Sequence, residues 1–244
     1  MAIEICQFHT NQGDPRRTSD HNSGMQTTPL ATRNRTLTPV DSTIVALDRL
    51  LKSAVGPHVA ARPYPAEHIP ETVRDPATKR KIAGLMRVNH AGEICAQALY
   101  HGQAATARLT GVRDSMTHAA QEEVDHLAWC ARRLQELDAR PSLLDPIWYA
   151  GSFAIGSIAG VSGDQHSLGF VAETEKQVVA HLQTHLAQLP QDDARSRAVL
   201  EQMVKDESQH GEAALNQGGE LPPGAIRRAM KLVAKLMTAT AQHF

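Results

Sequence analysis

Four glutamates and two histidines are the residues of this chain whose types and spacing could do chemistry. They occur as a lone Glu93, then Glu123-Val124-Asp125-His126, then a lone Glu175, then Glu207-Ser208-Gln209-His210. Residues three apart on an α-helix share a face, so each Glu-x-x-His pair can aim both side chains the same way. Glu93 stands 30 residues before Glu123 and Glu175 stands 32 before Glu207, while the two halves are offset by 82 and 84 residues. Matching spacings of that size suggest two helical hairpins of similar build, each supplying half of one site.

Four carboxylates in an apolar interior would each cost several kcal/mol or take up protons. Two divalent cations supply the four positive charges that balance Glu93, Glu123, Glu175 and Glu207, with His126 and His210 neutral. A single Glu from each of two helices and Glu-x-x-His from each of the other two is the ligand set of ferritin-like di-iron carboxylate bundles. The expected fold is therefore all-α, a ferritin-like four-helix bundle with additional N- and C-terminal helices. Oxygen and imidazole ligation without thiolate suits iron or manganese, zinc remaining open, and six ligands over two ions leave positions for O₂. Asp125 precedes His126 and Asp206 precedes Glu207, so either acid can take the outer ring N–H of a ligating histidine.

The elements that must position these groups can be read in turn. The chain has 244 residues, is 41% apolar and only 4% aromatic, a composition in which Ala and Leu fill closely packed helices. A net charge of −1 and the lack of basic runs interleaved with aromatics exclude nucleic-acid binding. Cys6, Cys95 and Cys130 show no C-x-x-C spacing, so neither a disulfide framework nor a thiolate zinc site is expected, and a reducing compartment is. Residues 1–40 are rich in Thr, Asn, Gln, Ser and Pro and read as a disordered leader without a secretory h-region. Residues 41–74 read as a short amphipathic helix with Ile44, Leu47, Leu50 and Leu51 on one side, then a Pro-rich connector, and residues 75–244 as the bundle.

Asp75-Pro76 is an N-cap followed by proline in the first turn, opening a helix that should reach Leu109 and stop at a left-handed Gly111. The next helix should span about Val112 to Leu137. On it Glu123 shares the stripe of Met116, Leu127 and Leu134, whereas Glu122 lies about 100° away, towards solvent. The third ligand helix, from about Asp164 to Leu189, holds Glu175 on the face of Leu168, Val171, Val178 and Leu182. Glu173 instead shares a side with Lys176 and Gln177. The fourth, from about Asp192 to Gln217, carries Glu207 and His210 with Leu200, Met203 and Ala214.

Two segments stand outside this scheme. Residues 146–163 are uncharged but interrupted by Gly151, Gly156, Gly160 and Gly163, which argues for a helix packed closely on the bundle or lying at a membrane surface rather than spanning it. Residues 224–244 form a basic amphipathic helix, suited to the bundle surface or to an anionic membrane interface. His101, His118, His181 and His185 read as surface or helix-end residues, and Cys95 and Cys130 as small core residues.

The run Arg87-Val88-Asn89-His90-Ala91-Gly92-Glu93, joined to Gln121-Glu122-Glu123-Val124-Asp125-His126-Leu127, Pro146-Ile147-Trp148 and Asp206-Glu207-Ser208-Gln209-His210, resembles the demethoxyubiquinone hydroxylase family. The likeness covers roughly residues 75–216 and excludes the first forty. The resemblance implies a membrane-associated di-iron quinone monooxygenase whose ligands fall on Glu93, Glu123, His126, Glu175, Glu207 and His210. It implies hydroxylation, with O₂, of the ring of 2-polyprenyl-3-methyl-6-methoxy-1,4-benzoquinol, and peripheral attachment to the cytoplasmic side of the cell membrane. A place in a ubiquinone-biosynthesis complex, with a methyltransferase acting next, is implied as well. The rivals are a ferritin-like iron store, which would form a closed shell, and a peroxide scavenger of the rubrerythrin type, whose cysteine-rich module is absent.

Overall fold

The structure is a computed structural model and describes Thr38, Asp41, Ile44, Val45, Asp48, Lys52 and residues 56–242. Six long helices follow one another: α1 (Pro76–Thr106), α2 (Thr110–Glu136), α3 (Asp145–Val161), α4 (Asp164–Gln188), α5 (Ala194–Asn216) and α6 (Gly224–Ala241). Among the described residues there is no strand. Short connections make α1–α2 and α4–α5 antiparallel hairpins, and these four helices are a ferritin-like bundle. The leader expected over residues 1–40 lies, Thr38 apart, outside the described residues. Asp41, Ile44, Val45, Asp48 and Lys52 are helical, while Leu47, Leu50 and Leu51 of the expected stripe also lie outside them.

The caps explain most boundaries. Asp75 accepts from Thr78 N at 2.8 Å, with Pro76 in the first turn of α1. Asp193 accepts from Ser196 N at 3.0 Å to open α5. The expected stop at Gly111 is corrected: α1 ends at Thr106, and Gly111 is the second residue of α2. The break is made instead by Asp164 at the start of α4, whose carboxylate takes the backbone N–H of Arg108 at 3.0 Å and of Leu109 at 2.8 Å. That tether joins residues 56 apart in sequence and leaves no local signature.

Helix α3 lies against α1 backbone to backbone. A Cβ on Gly102 would come 2.3 Å from Phe153 O, and one on Gly156 would come 2.2 Å from Leu99 O. Gly156 and Gly160 thus serve close packing, as the sequence suggests, whereas a Cβ on Gly151 would meet nothing within 4 Å. No described helix is long and apolar enough to cross a membrane. Helix α6 is tied to α1 by Arg87, whose NH1 donates to Gln242 O at 2.9 Å.

Residues 57–74 form a strap across one end of the bundle rather than a passive linker. Tyr64 is held between the guanidinium groups of Arg132 and Arg195, 4.2 and 5.8 Å from its ring. Arg132 pairs with Glu67 at 2.6 Å, Arg195 donates to Ile69 O, and Thr72 Oγ1 donates to Asp192 O at 2.5 Å. The fully buried Arg133 joins Glu71 of the strap to Glu136, Asp193 and Ser196. The strap therefore binds α2 to α5, one helix from each hairpin.

Candidate metal centre

Two of the apolar clusters of the interior have the charged groups between them. One contains Ile82, Met86, Leu134, Leu182 and Met203, the other Tyr100, Met116, Leu168, Val171 and Ala214. On α1, α2, α4 and α5 alike, the glutamates fall between members of the two clusters. This follows from the antiparallel hairpins, which bring the middle of every helix to one level.

Glu93, Glu123, His126, Glu175 and Glu207 are all at most 2% exposed. One ligand-type atom from each of Glu93, Glu123, His126 and Glu207 lies within 4.8 Å of the others. His126 Nδ1 is 2.9 Å from Glu207 Oε1, 3.1 Å from Glu123 Oε2 and 3.4 Å from Glu93 Oε2. His210 Nδ1 is 3.0 Å from Glu207 Oε2 and 3.6 Å from Glu123 Oε1. Glu123 and Glu207 thus each present one oxygen to either histidine, the placement required of carboxylates that bridge two ions. Glu93 stands on the His126 side. Glu175 accepts from Tyr100 OH at 2.5 Å, and Tyr100 meets His210 edge-on at 6.4 Å.

The electrostatics show what this arrangement lacks without cations. Glu93 Oε2, Glu123 Oε1, Glu175 Oε2 and Glu207 Oε1, one oxygen from each glutamate, are buried with no hydrogen-bond partner. Burial, reinforced by the Glu207 charge, pushes Glu123 and Glu175 well above the carboxylate range. Burial works against the charge on His126, yet the carboxylates of Glu207 and Glu123 hold it well above the usual range for histidine. Burial likewise opposes charge on His210, but the bond and charge of Glu207 raise it to about 9. Glu207 itself, between two imidazolium groups that outweigh its burial, is held down at about 2. Protons stand where cations would. With metal bound, each Nδ1 is free to ligate and the four orphaned oxygens gain partners, so the donor set fits a pair of divalent ions.

The outer ring nitrogens are also engaged. His126 Nε2 donates to Asp206 Oδ2 at 3.0 Å, one of the two acids singled out by sequence. Asp125 takes a different role: it accepts from Ala61 N and from Arg62 Nε, both at 2.6 Å. His210 Nε2 lies 3.0 Å from Glu122 Oε2. The 100° offset that sends Glu122 towards solvent is right, its side chain being 38% exposed, but the edge of His210 reaches it there. Arg62 carries no sequence signal, since it lies in a Pro-rich stretch without periodicity.

Several histidines differ from expectation. His185 is 6% exposed, not a surface residue, and its Nδ1 donates to Asn89 Oδ1 at 2.7 Å. Its ring lies 4.0 Å from that of half-buried His181, and burial, with the neighbouring His181, lowers its pKa to about 3. His101 is half-buried beside Tyr149 OH at 2.8 Å, and His118 is exposed as expected. Glu173 is 3% exposed although its helical neighbours are polar. Cys130 is a free core thiol, whereas Cys95 is half-buried.

A cavity of about 560 Å³ reaches the centre from the side. It lies among α1, α3, α4 and α6, with apolar walls that include Leu99, Trp148, Phe170, Ile226 and Met230, and Glu93 lines it. His181 lines it too, with a buried Nε2 that has no partner. At its mouth, the lining residues Ile155 of α3 and Val233 of α6 are exposed, as are Ile158 on α3 and Leu232 and Leu236 on α6.

Comparison with known proteins agrees with this centre. The family model described as "Ubiquinone biosynthesis protein COQ7" matches residues 80–241. The 3-demethoxyubiquinol 3-hydroxylase of Acinetobacter baylyi is 55% identical over 212 residues, which is 86% of this chain and 99% of that protein. Proteins of the same name from Cupriavidus metallidurans (54% over 204 residues, 83% of this chain and 99% of theirs) and Legionella pneumophila (51% over 211 residues, 86% and 99%) are similar over the same extent.

Proposed function

The chain belongs to the ubiquinone biosynthesis protein COQ7 family, and from that premise we propose that its carboxylate–histidine centre hydroxylates the ring of a demethoxyubiquinol. It is a 3-demethoxyubiquinol 3-hydroxylase, an oxidoreductase that uses O₂. One oxygen atom replaces a ring hydrogen and the other leaves as water, so the reaction also consumes two electrons and two protons. The observation that carries this reading is the position of Glu93, which belongs both to the buried carboxylate cluster and to the wall of the apolar cavity.

An iron pair would be held there by Glu93, Glu123, His126, Glu175, Glu207 and His210. When bound and reduced, such a pair supplies the activation of O₂. The chain's own residues do the rest. Apolar walls from α1, α3, α4 and α6 exclude water and hold the ring against the Glu93 side of the centre. The buried Nε2 of His181 is placed to hydrogen-bond a ring oxygen. Tyr100, its pKa raised by burial and by Glu175, keeps its proton and so continues to donate to Glu175.

The polyprenyl tail leaves through the mouth between α3 and α6. A tail of that kind stays in a bilayer, so the protein sits peripherally on the cytoplasmic face of the cell membrane. What supports this contact is the exposure of Ile147, Ile155 and Ile158 on α3 and Leu232, Val233 and Leu236 on α6, with Arg227, Arg228, Lys231 and Lys235 on the same basic helix. A product insoluble in water favours transfer to the next enzyme without release, which is the argument for a complex. The test is turnover of demethoxyubiquinol by iron-loaded protein under ¹⁸O₂. One labelled atom in the product ring is expected, and an unlabelled or unchanged quinol would refute the reading.

A further inference from the structure

One guanidinium outside the bundle touches the acids beside both ligand pairs. Arg62 Nε donates to Asp125 Oδ2 at 2.6 Å and its NH1 donates to Asp206 Oδ2 at 2.8 Å. Its planar head lies 4.7 Å over the ring of Trp129, which is itself 5.4 Å from the ring of His126. Asp125 precedes His126 on α2 and Asp206 precedes Glu207 on α5, so this one side chain spans the two Glu-x-x-His helices.

The consequence is local to His126. Asp206 Oδ2 receives both Arg62 NH1 and His126 Nε2, while Gln202 Nε2 donates to Asp206 Oδ1 at 2.8 Å. An ionised carboxylate only accepts, so at 3.0 Å it holds hydrogen on His126 Nε2, with Arg62 NH2 farther off at 3.4 Å, and Nδ1 is the nitrogen turned to Glu93, Glu123 and Glu207 that can ligate once its own proton is displaced. His210 has no such lock. Its Nε2 meets Glu122, whose side chain is 38% exposed and whose other neighbour is the exposed His118 at 3.2 Å. Among the described residues no arginine or lysine pairs with Glu122, whereas Asp206 is fixed by three donors.

We propose that Arg62 is a positioning residue that locks His126 through Asp206 and thereby makes the two halves of the metal centre unequal. The ion beside Glu93 and His126, next to the cavity, is the firmly held one. The ion beside Glu175 and His210 is the exchangeable one. This rests on the reading of the six residues as ligands.

The test is loss of iron to a ferrous chelator from anaerobically loaded, full-length protein, with iron counted at the start. Wild type should hold two ions and release them in two phases of similar amplitude. Arg62→Ala should speed the slow phase by about 10–100-fold, the usual effect of removing a partner behind a ligating histidine, and leave the fast phase alone. Arg62→Lys keeps a charge but not the fork that reaches both acids, so it should act in the same direction with smaller size. Asp206→Asn should match Arg62→Ala, and the double variant should be no worse than either. Arg195→Ala cuts another tie of the strap, to Glu136 and Ile69 O, and should leave the slow phase unchanged. A slow phase within twofold of wild type in Arg62→Ala, a single wild-type rate, or equal loss in Arg195→Ala would overturn the inference while the ligand reading stands. Wild type that takes up no pair of ions would overturn both.

Discussion

Loading the centre with divalent metal should expel protons, and their number follows from which groups face one another. Burial and the Glu207 charge push Glu123 and Glu175 towards the protonated form. The carboxylates around His126 and His210 favour the charged imidazole in both, the second with a pKa of about 9, while Glu207 is held down at about 2. Protons so held must leave on ligation, because carboxylate and neutral imidazole are the ligating forms. These protons belong to the cluster as a whole, so the sum is the quantity to measure. The apparent association constant for the pair should accordingly rise with pH near neutrality. The assay is anaerobic addition of Fe²⁺ or Mn²⁺ to weakly buffered protein, with released acid titrated by base. Glu175→Gln, which has no proton to give, should lower the number released. Release of one proton or fewer, or a binding constant indifferent to pH, would refute the electrostatic account of the centre.

Other consequences follow from the fold. Arg133→Met leaves the buried Asp193 without its cation, which should cost about 3–5 kcal/mol and lower Tm by roughly 6–20 °C in a thermal scan; a shift under about 2 °C would show that the strap's buried network contributes little. Gly156→Ala drives a Cβ to within 2.2 Å of Leu99 O, so α3 must move outward at about 1–3 kcal/mol; because α3 walls the cavity, KM for the quinol should rise while bound iron stays constant. His185 is held neutral, with a pKa lowered to about 3 by burial and by His181. In the unfolded chain it protonates near pH 6.5, so the stability it provides is full above that pH and is lost as pH falls. In denaturant titrations the stability difference between wild type and His185→Gln should shift by about 2 kcal/mol between pH 7.5 and 5, against wild type at the lower pH.

The burial of Glu93, Glu123, His126, Glu175 and Glu207 at one level of the bundle was legible in the sequence because it depends only on helical periodicity. Glu93, Glu123, Glu175 and Glu207 fall on apolar stripes, and antiparallel hairpins carry them to one level without help from distant contacts. Gly156 and Gly160 of α3 were legible for a related reason, since their four-residue spacing leaves a groove on one face that α1 fills with Leu99 and Thr106. What periodicity cannot see is a contact made from outside an element. Arg62 reaches Asp125 and Asp206 across 63 and 144 residues, and Asp164 breaks α1 from 56 residues away. Gly111 was misleading because a glycine after a helical run usually ends it, whereas here two side-chain hydrogen bonds had already done so. His185 was misread because a histidine beside polar neighbours normally faces water. Its burial is explained only by Asn89 on another helix.

The most direct test of the account is the quinone profile, by mass spectrometry, of cells that lack their own hydroxylase and express this chain. The account predicts that stored demethoxyubiquinone disappears and ubiquinone forms with the wild-type chain, and that Glu175→Ala leaves the demethoxy compound in place. Persistence of the demethoxy compound with folded, iron-loaded wild-type protein, or full ubiquinone output from Glu175→Ala, would contradict it.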